Sequence, residues 1–133
     1  MGNLKEGGSL KVIYENNEVK QICEGIKEAT KFFGGNSLMA RSLLARINII
    51  YQAEGIKDII AFIPMRFHKL VNKGKGKILE GYFAIDVKTI RDKWRIILEL
   101  LDENENPFIP CEIDVVATKV RIIRIMEVSN HYE

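Results

Sequence analysis

The sequence predicts an α+β domain: an N-terminal strand and a two-helix hairpin packed on one face of an antiparallel sheet of about four to five strands. Three observations carry this. Residues 78–87 and 94–101 are strand-like runs flanking a charged turn, with Tyr82, Ala84 and Asp86 alternating against Phe83, Ile85 and Val87. Residues 19–52 instead hold apolar side chains at helical spacing, interrupted by Gly34-Gly35. Helices thus come first and strands afterwards, the order of a sheet with its helices on one side.

In chain order, LKVIY at 10–14 is the first expected strand, and Asn16 or Asn17 caps the helix behind it. Val19, Ile22, Cys23, Ile26, Ala29 and Phe33 form that helix's apolar stripe, with lysines and glutamates opposite. Asn36 or Ser37 opens a second helix whose stripe runs through Ala40, Leu43, Leu44, Ile47, Ile50 and Tyr51, and Gly55 ends it. The short glycine link between the two predicts an αα-hairpin. Residues 56–63 are apolar but short, one helical turn and then coil before Pro64. Residues 65–77, MRFHKLVNKGKGK, are a basic connector, and DENENPFIP at 102–110 is an acidic turn-forming loop. Two more strands are expected over 112–117 and 120–128. With 133 residues, this is one domain over 10–133 behind a loose leader at 1–9.

Charge is unevenly spread. Nine Lys or Arg stand against three Asp or Glu between Arg66 and Arg95, a local balance of +6, while the other residues carry 11 basic and 15 acidic side chains, a balance of −4. The total of +2 hides a concentrated basic surface. Clustered Lys and Arg supply sequence-independent phosphate binding, so the expected partner is a polyanion. The two cysteines, Cys23 and Cys111, are far apart and outside any C-x-x-C spacing, which predicts buried reduced thiols. No apolar run reaches the ~18 residues of a membrane span, and MGNLKEGGSLK lacks the apolar core of a signal peptide, so a cytoplasmic location is expected.

Motifs for chemistry are sparse. Gly74-Lys75-Gly76-Lys77 does not match G-x-x-x-x-G-K-S/T and follows no βαβ unit, so it is a basic loop or a plain turn, and no nucleotide site. His68 and His131 are too few for a zinc site, and neither cysteine is placed to complete one; no metal or other cofactor is expected. Histidine ordinarily titrates near ~6.5, so either could move protons. Arg95 follows Trp94 at a strand start; it either snorkels beside the ring or projects from the open sheet face toward a phosphate, a role its planar fork suits.

The succession FHKL, basic connector, GYFAIDV, DKWRIILEL and terminal EVSNHYE resembles the RelE/HigB toxins of bacterial toxin–antitoxin systems. The matching positions are His68 with Lys69, Trp94-Arg95-Ile96, and His131-Tyr132, and the likeness spans roughly residues 10–133. It implies a RelE-like fold and a ribosome-dependent endoribonuclease that cuts mRNA in the ribosomal A site, neutralised by a cognate HigA-like or RelB-like antitoxin. It assigns His131 as acid or base, Arg95 as phosphate clamp and Tyr132 as a stacking or positioning ring. His68, Lys69 and Lys73 become a second catalytic or substrate-holding set, and Arg66, Lys75, Lys77, Arg91 and Lys93 grip RNA. The histidine stands before the tyrosine here, and Glu133 follows, whereas many relatives end on the histidine. The alternatives are a ParE-like module of the same fold that inhibits DNA gyrase without cutting RNA, and a degenerate toxin acting only within a complex.

Overall fold

The computed structural model describes residues 10–70 and 81–132. The expected leader, the glycines of the connector, Lys73, Lys75, Lys77 and the strand start at Ile78 lie outside the described residues.

The architecture is α+β. Five strands, β1 (Lys11–Tyr14), β2 (His68–Lys69), β3 (Tyr82–Asp86), β4 (Arg95–Leu101) and β5 (Ile122–Ser129), lie in the order β1-β5-β4-β3-β2. The predicted central pair is present: β3 and β4 are antiparallel with Tyr82 opposite Glu99 and Asp86 opposite Arg95. The sheet is mixed, which corrects the antiparallel expectation, because β1 runs parallel to β5. A parallel partner needs a crossover connection, and the chain between these two strands contains all the helices and the other three strands. Alternation within a strand carries no information on the direction of its neighbour.

The predicted first helix is two. Asn16 caps α1 (Asn17–Glu24), its side chain accepting from the Val19 amide at 2.9 Å, and α2 (Ile26–Phe32) follows after Gly25. Gly25 is extended (φ −126°, ψ 125°) and donates to Gln21 O, closing one helix while standing at the N-cap of the next. The apolar spacing continues through the break, so periodicity alone reads as one helix. Gly34 and Gly35, at φ 67° and 96°, make the predicted stop. Asn36 then caps α3 (Ser37–Gln52) through the Met39 amide. Gly55 stands at the N-cap of α4 (Ile56–Ala61), and the chain continues into a 3-10 turn, Ile63–Met65, that accommodates Pro64. The helical part of residues 56–63 is therefore longer than the single turn expected.

The strand expected over 112–117 is absent. These residues form a one-turn helix, α5 (Ile113–Val116), and a 3-10 turn, Ala117–Lys119. Strand alternation would bury Val115 with Ile113; helical spacing instead buries Val116, packs Ile113 on the core and leaves Val115 62% exposed.

The helices cover one sheet face. Ala40, Leu43, Ile47 and Ile50 of α3 share a core with Phe83, Ile85, Ile96, Leu98, Ile123 and Ile125, and each fully buried leucine, isoleucine or phenylalanine among them contributes about 1.5–3 kcal/mol relative to exposure. Trp94 packs edge-on against Phe32 and Phe33, with ring centroids 5.4 and 5.0 Å away. Both cysteines are buried and neither is in a disulfide, as their spacing predicts. On the second face, Leu70, Ala84 and Ile97 form a smaller cluster flanked by Tyr82, Met126 and Tyr132.

Candidate functional site

The polar residues of interest gather where β3 ends, β4 begins and β5 ends. Asp86 lies opposite Arg95, and Arg95 opposite Ser129. Asp86 is 3% exposed, in a strand that is otherwise apolar apart from Tyr82. A carboxylate survives such burial only when paired and hydrogen-bonded, and three arginines meet it. Arg66 donates Nε and Nη2 to the two carboxylate oxygens, both at 3.0 Å, the fork-to-fork geometry of the strongest ion pairs. Arg95 brings Nε to 3.3 Å. Arg46, reaching from α3, donates to the Asp86 carbonyl at 3.0 Å and ties it to the carbonyls of Pro64 and Lys88. Burial lowers the pKa of Arg46, and Asp86 opposes that shift. Two arginines on the carboxylate and a third on the same residue's backbone carbonyl leave a local charge of 3 − 1 = +2.

The arginines differ in access. Arg95 is 2% exposed; besides Asp86 it donates to the carbonyls of Thr89, Ile90 and Trp94. The expectation that Arg95 reaches out to a phosphate is corrected: it lies on the non-helical face, but the turn after β3 folds over it. Arg66 is 36% exposed at its side chain, held by a left-handed backbone (φ 50°) after the 3-10 turn. Of the arginines bound to the Asp86 carboxylate, it is the one that reaches solvent.

Two rows cross the second face. Asp86, Arg95 and Ser129 form one; His68, Ala84, Ile97 and Glu127 form the next, each opposite its neighbour. His68 Nδ1 lies 2.6 Å from the Arg66 carbonyl. A carbonyl only accepts, so Nδ1 carries the proton, and a neutral ring presents Nε2 as an acceptor. His131 is exposed two residues beyond Ser129, its amide bound to Ser129 Oγ at 3.1 Å. The fold therefore brings Arg66, His68, Arg95 and His131 to one end of the sheet. Lys69 is exposed on β2, and Arg91 and Lys93 are exposed in the turn after β3. That turn is held by Asp92, which accepts from the Thr89 and Trp94 amides.

Tyr132 folds back onto the second face and donates to Glu127 Oε2 at 2.5 Å. Burial, then Glu127, pushes its hydroxyl up to about 12. Tyr51 is also pushed up to about 12, by burial and then its bond to Glu24, and burial raises Tyr14, which donates to Tyr51. Unfolded tyrosine ionises near ~10. Folding thus holds protons that the unfolded chain releases, and stability falls as pH rises from ~10 toward ~12. Urea midpoints at pH 9 and pH 11 should show a fall that Tyr51→Phe reduces.

Sequence reasoning missed Asp86, Arg46, Ser129 and Glu127 as members of this cluster. For Asp86 a signal existed, a lone carboxylate inside an apolar strand, which demands a cation. Among the described residues, no group of three His, Cys, Asp or Glu side chains could hold a metal, and no helix is long and apolar enough to cross a membrane. No family model, curated protein or solved structure matches this chain.

Proposed function

We propose that this chain is the toxin of a type II toxin–antitoxin system, a RelE-like endoribonuclease that cuts mRNA on the ribosome in the cytoplasm and is neutralised by a cognate antitoxin. The observation that carries this reading is half-exposed Arg66 beside His68, at the sheet end that also holds His131 and an arginine-rich cluster of net charge +2.

The chemistry needs little more. A base removes the ribose 2′-hydroxyl proton, O2′ bonds to phosphorus, and the P–O5′ bond breaks as an acid protonates O5′. The products are a 2′,3′-cyclic phosphate and a 5′-hydroxyl. His131 suits the acid or the base, and His68 belongs to a second catalytic or substrate-holding set. Arg66 faces the charge that builds on the phosphorane oxygens, aimed by its bidentate hold on Asp86. Lys69, Arg91 and Lys93 supply phosphate-backbone contacts. Tyr132, half-buried against Glu127, serves as a positioning ring.

The enclosure of Arg95 favours a second reading, a ParE-like module that binds DNA gyrase and cuts nothing, because it removes the expected clamp from the reacting phosphate. Mapping 5′ ends of a reporter mRNA after induction in bacteria separates the two. The nuclease reading expects new ends within translated codons, reduced at least ~100-fold by His131→Ala. Growth arrest without new ends would transfer the assignment to the gyrase-directed module.

A further inference from the structure

The first strand covers only half of the last. The β1 register with β5 ends at Tyr14 opposite Ile125, and the final backbone bond runs from the Glu15 amide to the Ile125 carbonyl at 2.9 Å. The chain then leaves into α1. β5 continues through Met126–Ser129 with β4 along one side, and among the described residues no strand lies along the other. A cavity of about 440 Å³ lies against this edge, between β5 and the first two turns of α1, with Phe32 and Tyr132 also in its wall.

Three carboxylates line that cavity: Glu15, Glu18 and Glu127. Arg124 lies 3.9 Å from Glu15 and 3.3 Å from Glu99, and so is shared between them. Glu127 accepts the Tyr132 hydroxyl. Among the described residues no cation pairs with Glu18 or Glu127.

We propose that this edge is a strand-addition site for an extended, basic segment of a partner protein. An open strand edge presents backbone donors and acceptors to any chain that can lie ~4.8 Å away. Natural edges are blunted with lysine, proline or bulges; residues 126–129, MEVS, contain no lysine or proline, and among the described residues the one irregularity is the register shift against β4 that leaves Met126 without a facing residue. Side chains of an added strand alternate, so one set meets the carboxylates while the other lies on Val19, Ile22 and Phe32. An alternating apolar/basic segment satisfies both walls, and an acidic one meets three like charges. Main-chain bonds supply affinity and alternate side chains supply selectivity, the logic of β-augmentation. The proposal is independent of any activity on RNA.

The test uses the full chain and a fluorescein-labelled hexapeptide alternating valine and lysine, read by fluorescence anisotropy, with backbone amide shifts followed by NMR. Saturable binding is expected, with the largest shifts at Met126–Ser129. A valine–glutamate peptide should bind at least about tenfold more weakly, and so should a lysine peptide N-methylated at alternate residues, which keeps its charge but loses backbone donors. Glu18→Lys, a change on an exposed helix position, should also weaken binding about tenfold, while Glu28→Lys, the same charge change outside the cavity, should leave it within about twofold. Equal binding of the N-methylated peptide, shifts centred elsewhere, or no saturation below about 1 mM would each overturn the proposal.

Discussion

Asp86→Ala is expected to cost about 3–5 kcal/mol of folding stability, the usual penalty for removing one partner of a buried ion pair. Arg95 is 2% exposed and cannot turn to water; without Asp86 its guanidinium keeps the carbonyls of Thr89, Ile90 and Trp94 but loses the carboxylate 3.3 Å from its Nε. The same substitution releases Arg66, whose two bonds to Asp86 help hold the left-handed turn leading into β2. Total stability of a domain this size is about 5–15 kcal/mol, so the variant would be marginal. Urea unfolding followed by circular dichroism reads the loss. Adding Arg95→Met should return part of it, since an apolar side chain of similar length leaves no buried charge behind. A single-variant loss below about 1 kcal/mol would mean that the pair is solvated and that Asp86 does not organise this end of the sheet.

The alternation of faces around Asp86 was legible because it rests on period two. Phe83, Ile85, Ile96 and Leu98 go to the helical side, and Ala84, Asp86, Arg95 and Ile97 to the other. Alternation assigns a face but not its cover. Arg95 is on the expected face, yet the turn after β3 and Asp86 enclose it, contacts that no local pattern encodes. Other misreadings share that origin. The apolar stripe passes unbroken across Gly25, although the backbone there is extended. Residues 112–117 fit either period over so short a run, and their burial decides for helix. The β1–β5 pairing joins the two ends of the described fold, the longest-range contact in the sheet, and its direction is set by the crossover rather than by either strand. The candidate site was legible as residue types, histidines and arginines in a basic region. Its organiser, buried Asp86 with two arginines on its carboxylate and a third on its backbone carbonyl, became visible only once the fold placed residues 46, 66, 86 and 95 together.

That arrangement separates the arginines by role, and the separation is measurable. On the proposed nuclease reading, Arg66→Ala should lower RNA cleavage by about 100-fold or more, the scale of losing one preorganised charge donor at a developing oxyanion, while costing only about 1–2 kcal/mol of stability. The modest stability cost follows because Asp86 keeps Arg95 as its counter-ion, and because Arg66 is already 36% exposed. Arg66→Lys should recover stability better than activity, since a lysine supplies the charge but not the planar fork that grips both Asp86 oxygens. Arg95 should behave in the opposite way. Arg95→Ala strands Asp86 beside Arg66 alone and opens a void beneath the turn, so its loss of activity should track loss of fold, with unfolding visible in the same samples. Reporter cleavage and urea midpoints measured on both variants decide the matter. If Arg66→Ala cuts as well as the parent, Arg66 is structural and the +2 charge of the cluster has no part in holding RNA. If Arg95→Ala folds normally yet fails to cut, the turn opens in solution and the buried guanidinium is the clamp after all.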